Sequence, residues 1–195
     1  VEEIIVEEDA ARGVRLAGGA VQGADAVISA ADGRSTLFGM LGGRFVDDKW
    51  KARYRDWKLI RPMVMINYGV ARTFPGEDHI RGLFLAEPLR VAGQAISALM
   101  LRIFNYSPHF APPGHTVVQV TWDGDWDYWA ALRRDLPAYE AEKQAVSAAV
   151  LERLEAFYPG IAGQVEVTDV ATPFTTWRYT RNDRGAYEGW LPDAA

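Results

Sequence analysis

Residues 175–190, Thr-Thr-Trp-Arg-Tyr-Thr-Arg-Asn-Asp-Arg-Gly-Ala-Tyr-Glu-Gly-Trp, hold two Trp, two Tyr, three Arg and two Gly. Arg178, Arg181 and Arg184 alternate with Trp177, Tyr179 and Tyr187, while Gly185 and Gly189 relax the backbone. Such a run supplies forked hydrogen-bond donors and stacking faces. It suits a ligand-facing surface, and equally an edge strand whose cations and aromatics stack on one another. The other runs that could do chemistry are weaker. Gly18-Gly19-Ala20-Val21-Gln22-Gly23 has the spacing of a loosened dinucleotide fingerprint. That fingerprint must open a helix, whereas a strand-like pattern follows here, so a hairpin turn is the better reading. Asp123, Asp125 and Asp127 fall at the first, third and fifth places of a calcium loop. Tyr128 then stands where the turn needs Gly and Arg134 where a bidentate Glu belongs, so these acids read as a solvated turn and an N-cap. No Ser lies in a Gly-x-Ser-x-Gly elbow, and no catalytic residue is assigned. His79, His109 and His115 lack zinc-ligand spacing and Cys is absent, so no metal site is expected.

The chain around these runs has 195 residues and 49% hydrophobic content, enough for a real core. A net charge of -5, with no Lys/Arg run longer than two residues, gives no footprint for a phosphate backbone, so nucleic acid is excluded as a partner. The longest apolar stretch, residues 89–104, is interrupted by Arg90, Gln94 and Arg102 and is too polar to span a bilayer. The lack of Cys fits a reducing, cytoplasmic compartment. The chain opens on Val1-Glu2-Glu3 with neither an initiator Met nor a signal peptide, and is read as an internal piece of something longer.

Short strands are expected over residues 4–6, 14–16, 20–22 and 26–30, with acidic and Gly18-Gly19 turns between them. Ser35 is placed to cap a short helix through Leu37, Met40 and Leu41. Charged and aromatic residues then alternate from 47 to 57 without a clean period, which reads as a surface crossing into a second unit, its aromatics forming core and rim. Strands are expected over 63–68, 80–86, 115–122 and 165–170. Residues 89–105 fit a helix through 92, 96, 99 and 103, and a buried strand over 99–104 equally well. Residues 139–158 place Val146, Val150, Leu151, Leu154, Phe157 and Tyr158 on one stripe, a long amphipathic helix closed by Pro159-Gly160. The class is α+β: a mostly antiparallel sheet backed by one long helix and shorter ones, after a small N-terminal strand meander.

Two runs resemble one family. Residues 24–37, Ala-Asp-Ala-Val-Ile-Ser-Ala-Ala-Asp-Gly-Arg-Ser-Thr-Leu, preceded by Gly13-Val14 and Gly18-Gly19, form the first. The second is Val170-Ala171-Thr172-Pro173-Phe174-Thr175, followed by Arg178-Tyr179-Thr180-Arg181-Asn182 and Gly189-Trp190. Together they resemble the phytoene desaturase and retinol saturase family of FAD-dependent oxidoreductases, in particular its bacterial phytoene-dehydrogenase-related members. Asn105-Tyr106-Ser107-Pro108 and Ala111-Pro112-Pro113-Gly114 fall in the family's order, with Ser107 and His115 where the family has Asp and Lys.

The resemblance implies a strand over 96–105, residues 1–45 as part of an FAD-binding domain, and residues 46–195 as a substrate-binding domain. It implies FAD in the full-length parent but not retained by this piece, which is expected to be inactive alone, because the Gly-rich cofactor-binding segments at both ends of the family pattern are missing. The substrate it implies is an apolar, isoprenoid or carotenoid-like small molecule whose carbon–carbon bonds are desaturated or saturated. Peripheral membrane contact suits such a substrate, though no amphipathic basic helix stands out in the sequence. Val1, Ala30, Ala31 and Asp32 match cofactor-side positions, and Thr172, Thr175, Arg178, Tyr179, Asn182 and Trp190 match substrate-side positions. The alternative is a stand-alone, non-catalytic α+β module that binds a lipid-like ligand.

Overall fold

The computed structural model describes residues 1–191, which divide into two compact units. The first comprises Val1–Ile60 together with the chain from Thr176 onward, and the second is Arg61–Thr175.

In the first unit, β1 (Glu3–Glu7), β2 (Ala10–Arg15) and β3 (Val21–Gly23) form an antiparallel sheet in that order. Glu8 and Asp9, both at positive φ, turn β1 into β2. Gly18 and Gly19, at φ 90° and 88°, turn β2 into β3, with Leu16 donating to the Ala20 carbonyl at 2.8 Å. The Gly-rich run is therefore a hairpin turn. Residues 26–30, expected as a strand, pair with nothing, and Ile28 stands 95% exposed. Strand propensity without a partner or a surface to pack on does not make a strand. A wide helical segment, Ser35–Met40, follows. Asp32, rather than Ser35, takes its first free donor, the Ser35 N–H, at 2.8 Å. Residues 47–57, expected to be irregular, contain helix α1 (Asp48–Asp56), whose Asp47 cap accepts from the Trp50 N–H at 2.8 Å.

In the second unit come β4 (Met63–Val70), β5 (Ile80–Val91), β6 (Gln94–Ile103), β7 (Thr116–Asp123), α2 (Trp126–Leu132), α3 (Leu136–Phe157) and β8 (Val165–Ala171), and α4 (Pro173–Thr180) begins there. The five strands make one antiparallel sheet, ordered β5-β6-β7-β4-β8. The observed class is α+β, as expected. The 89–105 alternative resolves to strand: β5 and β6 are joined by Ala92-Gly93, both at positive φ, the geometry of a two-residue hairpin. Glu142 on α3 holds this turn, accepting from the Ala92 N–H at 3.2 Å and the Tyr128 hydroxyl at 2.9 Å.

β4 alternates half-buried and buried residues along its whole length. Val64, Ile66, Tyr68 and Val70 point to the face where Val118 and Val120 of β7 and Leu101 of β6 register beside them. α3 lays Tyr139, Val146, Val150 and Leu154 on that face. Each such side chain contributes roughly 1.5–3 kcal/mol by leaving water. In the middle, the Tyr68 hydroxyl donates to the Ser147 carbonyl on α3 at 2.7 Å with no solvent access to the residue. Asp125 caps α2 and Asp135 caps α3, each accepting a backbone N–H at 3.1 Å.

Burial pushes the Tyr68 phenol up to about 12, from an ordinary value of 10.0. Between those values the folded chain holds a proton that the unfolded chain has lost, so stability falls as pH rises, by up to about 1.4 kcal/mol per pH unit. Urea midpoints measured from about pH 9 to pH 12 are expected to decline through this window. Tyr68→Phe is expected to cost about 1 kcal/mol at neutral pH and to flatten the decline. The slope persists in part, because burial and the Glu142 hydrogen bond push Tyr128 up to about 12 as well.

Candidate functional site

The sheet of the second unit has two faces, and α3 lies on one. On the other, strand alternation sets Met63, Met65 and Asn67 of β4 beside Asp123, Thr121 and Gln119 of β7. Met100 and Arg102 of β6 continue the row past Thr121 and Gln119, with Gly82 and Ile80 of β5 next to them. On the β8 side, Asp169 and Val167 follow Asn67 and Gly69. Phe84 is 84% exposed and Val167 64% exposed, so large apolar groups stand here beyond the packed core. A hollow of ≈ 450 Å³ lies over this face, bordered by Arg61, Gly82, Phe84, Ala98, Met100 and Thr121.

A line of polar groups crosses the face, bonded one to the next. Gln119 Nε2 donates to Asn67 Oδ1 at 2.8 Å and meets the Met65 sulfur at 3.2 Å. Asn67 Nδ2 in turn donates to Asp169 Oδ2 at 3.4 Å. The result is a surface of thioethers and an aromatic ring crossed by one polar row, Arg102, Gln119, Asn67 and Asp169, able to accept an apolar body beside that row. The sequence carried one signal of it: Asn67 and Gln119 interrupt apolar strands at positions that alternate away from the core. Pattern reading passed over both.

Thr172 and Thr175 sit in the second unit and are tied to each other. The Thr172 N–H donates to Thr175 Oγ1 at 3.1 Å, the Thr175 N–H donates to Thr172 Oγ1 at 3.3 Å, and Pro173 occupies the first turn between them. This is a reciprocal cap on α4, with proline where its missing N–H costs nothing. The Tyr139 hydroxyl joins them, 2.6 Å from Thr172 Oγ1 and 3.3 Å from Thr175 Oγ1. The edge-strand alternative for residues 175–190 gives way to the end of α4 as far as Thr180, then to a loop, with only Trp190 in a bridge.

The remaining expected residues lie in the first unit. Arg178, on α4, stacks on the ring of Tyr179, which is 77% exposed. Asn182 closes its own loop, its Nδ2 donating to the Ala186 carbonyl at 3.0 Å. Trp190 packs edge-on against Tyr54 at 5.2 Å, beside the bridge between Leu59 and Trp190. Val1, Ala30 and Ala31 are exposed, and Asp32 is held at the start of the Ser35–Met40 segment. The first unit shows no strand–loop–helix turn that could cradle a pyrophosphate among the described residues, since its glycine pair belongs to a hairpin. Among the described residues no group of three or more His, Asp or Glu side chains could hold a metal ion, and no helix is long and apolar enough to cross a membrane.

No protein-family model matches the chain. Over 190 residues, 96% of its length, it is 26% identical to the chloroplastic prolycopene isomerase of Arabidopsis thaliana, of which it covers 32%. Over 193 residues, again 96% of its length, it is 28% identical to the prolycopene isomerase of Daucus carota, of which it covers 31%. The chain thus spans about a third of these curated relatives. Among solved structures it is similar to an oxidoreductase from Methanosarcina mazei, at a TM-score of 0.50 and 16% identity, over 88% of this chain and 36% of that one. That likeness concerns the fold. The resemblance drawn from the two sequence runs is borne out by relatives named for carotenoid chemistry.

The geometry around Thr172 makes its own claim. Thr172→Val removes the cap of α4 and is expected to lower stability by about 1 kcal/mol, with Thr172→Ser largely preserving it. Urea unfolding followed by circular dichroism measures the difference; a Val variant as stable as the unaltered chain would overturn the cap.

Proposed function

We propose that this chain forms the substrate-holding part of an FAD-dependent oxidoreductase that desaturates or saturates carbon–carbon bonds of a long carotenoid-like polyene. The observation that carries this reading is the sheet face left free by α3. Its five strands, spaced about 4.8 Å apart, span roughly 19 Å, a wall for part of an extended polyene, with thioether and aromatic groups on either side of one polar row. The names of the relatives, prolycopene isomerases, support the substrate class.

In this reading a flavin supplies the redox chemistry and is held by segments of a longer parent, because the residues here form no pyrophosphate cradle. Met65, Met100 and Phe84 would bear on the polyene, while Gln119 and Asn67, bonded to each other, and Arg102 beside them make one polar row across the face. A substrate of this kind is insoluble in water, so we also propose that the parent collects it at a membrane surface.

Lycopene delivered from detergent micelles tests the reading. The unaltered chain is expected to retain it through gel filtration, with a shifted polyene absorption band, and the double variant Phe84→Asp, Met100→Asp to lose at least about tenfold in affinity. Equal retention by both chains, or none by either, would remove the sheet face as the substrate wall. Stoichiometric flavin absorption in the purified chain would overturn the placement of the cofactor elsewhere.

A further inference from the structure

Within the first unit lies a cleft of ≈ 890 Å³ that the polyene reading does not use. Its walls are aromatic. Tyr54 stands at the centre, with Phe38 at 5.4 Å, Trp57 at 5.9 Å and Trp190 at 5.2 Å between ring centroids. The ring of Tyr54 reaches its seat because residue 33 is glycine; a Cβ there would collide with the phenol oxygen. The cleft is also basic: Arg34, Lys51, Arg55, Lys58 and Arg184 line it against a single acid, Asp183, in a chain whose net charge is -5.

The cations differ in how firmly they are held. Lys51 pairs with Asp48 at 3.2 Å, and Arg55 grips Asp56 at two points, 2.8 and 3.0 Å, both at exposed positions where ion pairs contribute little. Arg34 meets Asp183 at 3.6 Å and donates to the Tyr54 carbonyl at 3.4 Å beside the Phe38 ring, and Lys58 makes no ion pair among the described residues. The indole N–H of Trp190, like those of Trp122 and Trp129 in the second unit, is buried with no acceptor among the described residues, and its ring lines the cleft.

Flat rings in the walls and cationic side chains at the rim call for a ligand that is planar at one end and anionic at the other. We infer that the first unit carries a separate binding site for a compound of the mononucleotide kind, its ring against Tyr54, Trp57 and Trp190 and its phosphate near Arg34 and Lys58. The sheet face of the second unit plays no part in this site, so failure of either proposal leaves the other standing.

Titration of ¹⁵N-labelled chain followed through its indole N–H signals tests the inference, with the Trp190 signal identified by its loss in Trp190→Phe. Addition of AMP is expected to move that signal saturably, and raised salt to weaken the effect. Adenosine alone and inorganic phosphate alone are each expected to bind at least about tenfold more weakly. The surface double variant Arg34→Gln, Lys58→Gln, checked for an unchanged dispersed spectrum, is expected to lose about tenfold in AMP affinity. An unmoved Trp190 signal overturns the site, and so does a double variant that binds AMP as well as the unaltered chain. Phosphate alone matching AMP refutes the ring contact, and adenosine alone matching AMP refutes the anion contact.

Discussion

A sheet must hide at least one face, and the five-stranded sheet here has one long helix with which to do it. The pairing of α3 with β4 meets that constraint. Val64, Ile66, Tyr68 and Val70 all turn the same way because a strand repeats every two residues, and α3 answers with Tyr139, Val146, Val150 and Leu154 at helical spacing. The hydrogen bond from Tyr68 to the Ser147 carbonyl sets the helix at one height over the strand, since a slip of either would bury a lone phenol. Everything on the opposite face follows from this choice. Once α3 is spent on one side, Met65, Asn67, Gln119 and Met100 must find other uses.

The first unit solves a different problem with little core. Its helix α1 buries no residue completely, yet Trp50, Tyr54 and Trp57 lie on one stripe, and Arg53 stacks over both tryptophans. Aromatic edges and cation stacking hold together what apolar volume alone would not. The backbone pairs of residues 58–60 with 189–191 tie the two ends of this unit, with Ile60 donating to Gly189 and Leu191 to Lys58, each at 2.8 Å. The same chemistry that stabilises the unit leaves its cleft both flat-walled and cationic.

Where a local rule and a tertiary surface agreed, the sequence was readable. The long helix, the β4 and β7 strands and the glycine-pair hairpin all combine a clear period with the right turn residues. Reading failed where one of the two was missing. Residues 26–30 have strand composition but no partner. α1 has the helical spacing 50, 54, 57, masked by the charges between, and its Asp47 cap was the overlooked sign. The start of α4 spells threonine, proline and a second threonine three residues after the first, a cap written in two hydroxyls, yet its aromatics and arginines drew the eye to ligands. The polar row of Asn67, Gln119 and Asp169 joins strands more than fifty residues apart, and no local pattern announces such a meeting.

β4 lies between β7 and β8, and both come later in the chain. Its first ladder closes only after residue 116, and its second only after residue 165. During synthesis β4 therefore waits with both edges unpaired while about fifty further residues are made, and with one edge unpaired for about fifty more, whereas β5 and β6 can zip at once through their two-residue turn. A growing chain of this design is most open to mispairing with its neighbours in that interval, which ends edge by edge as β7 and then β8 arrive.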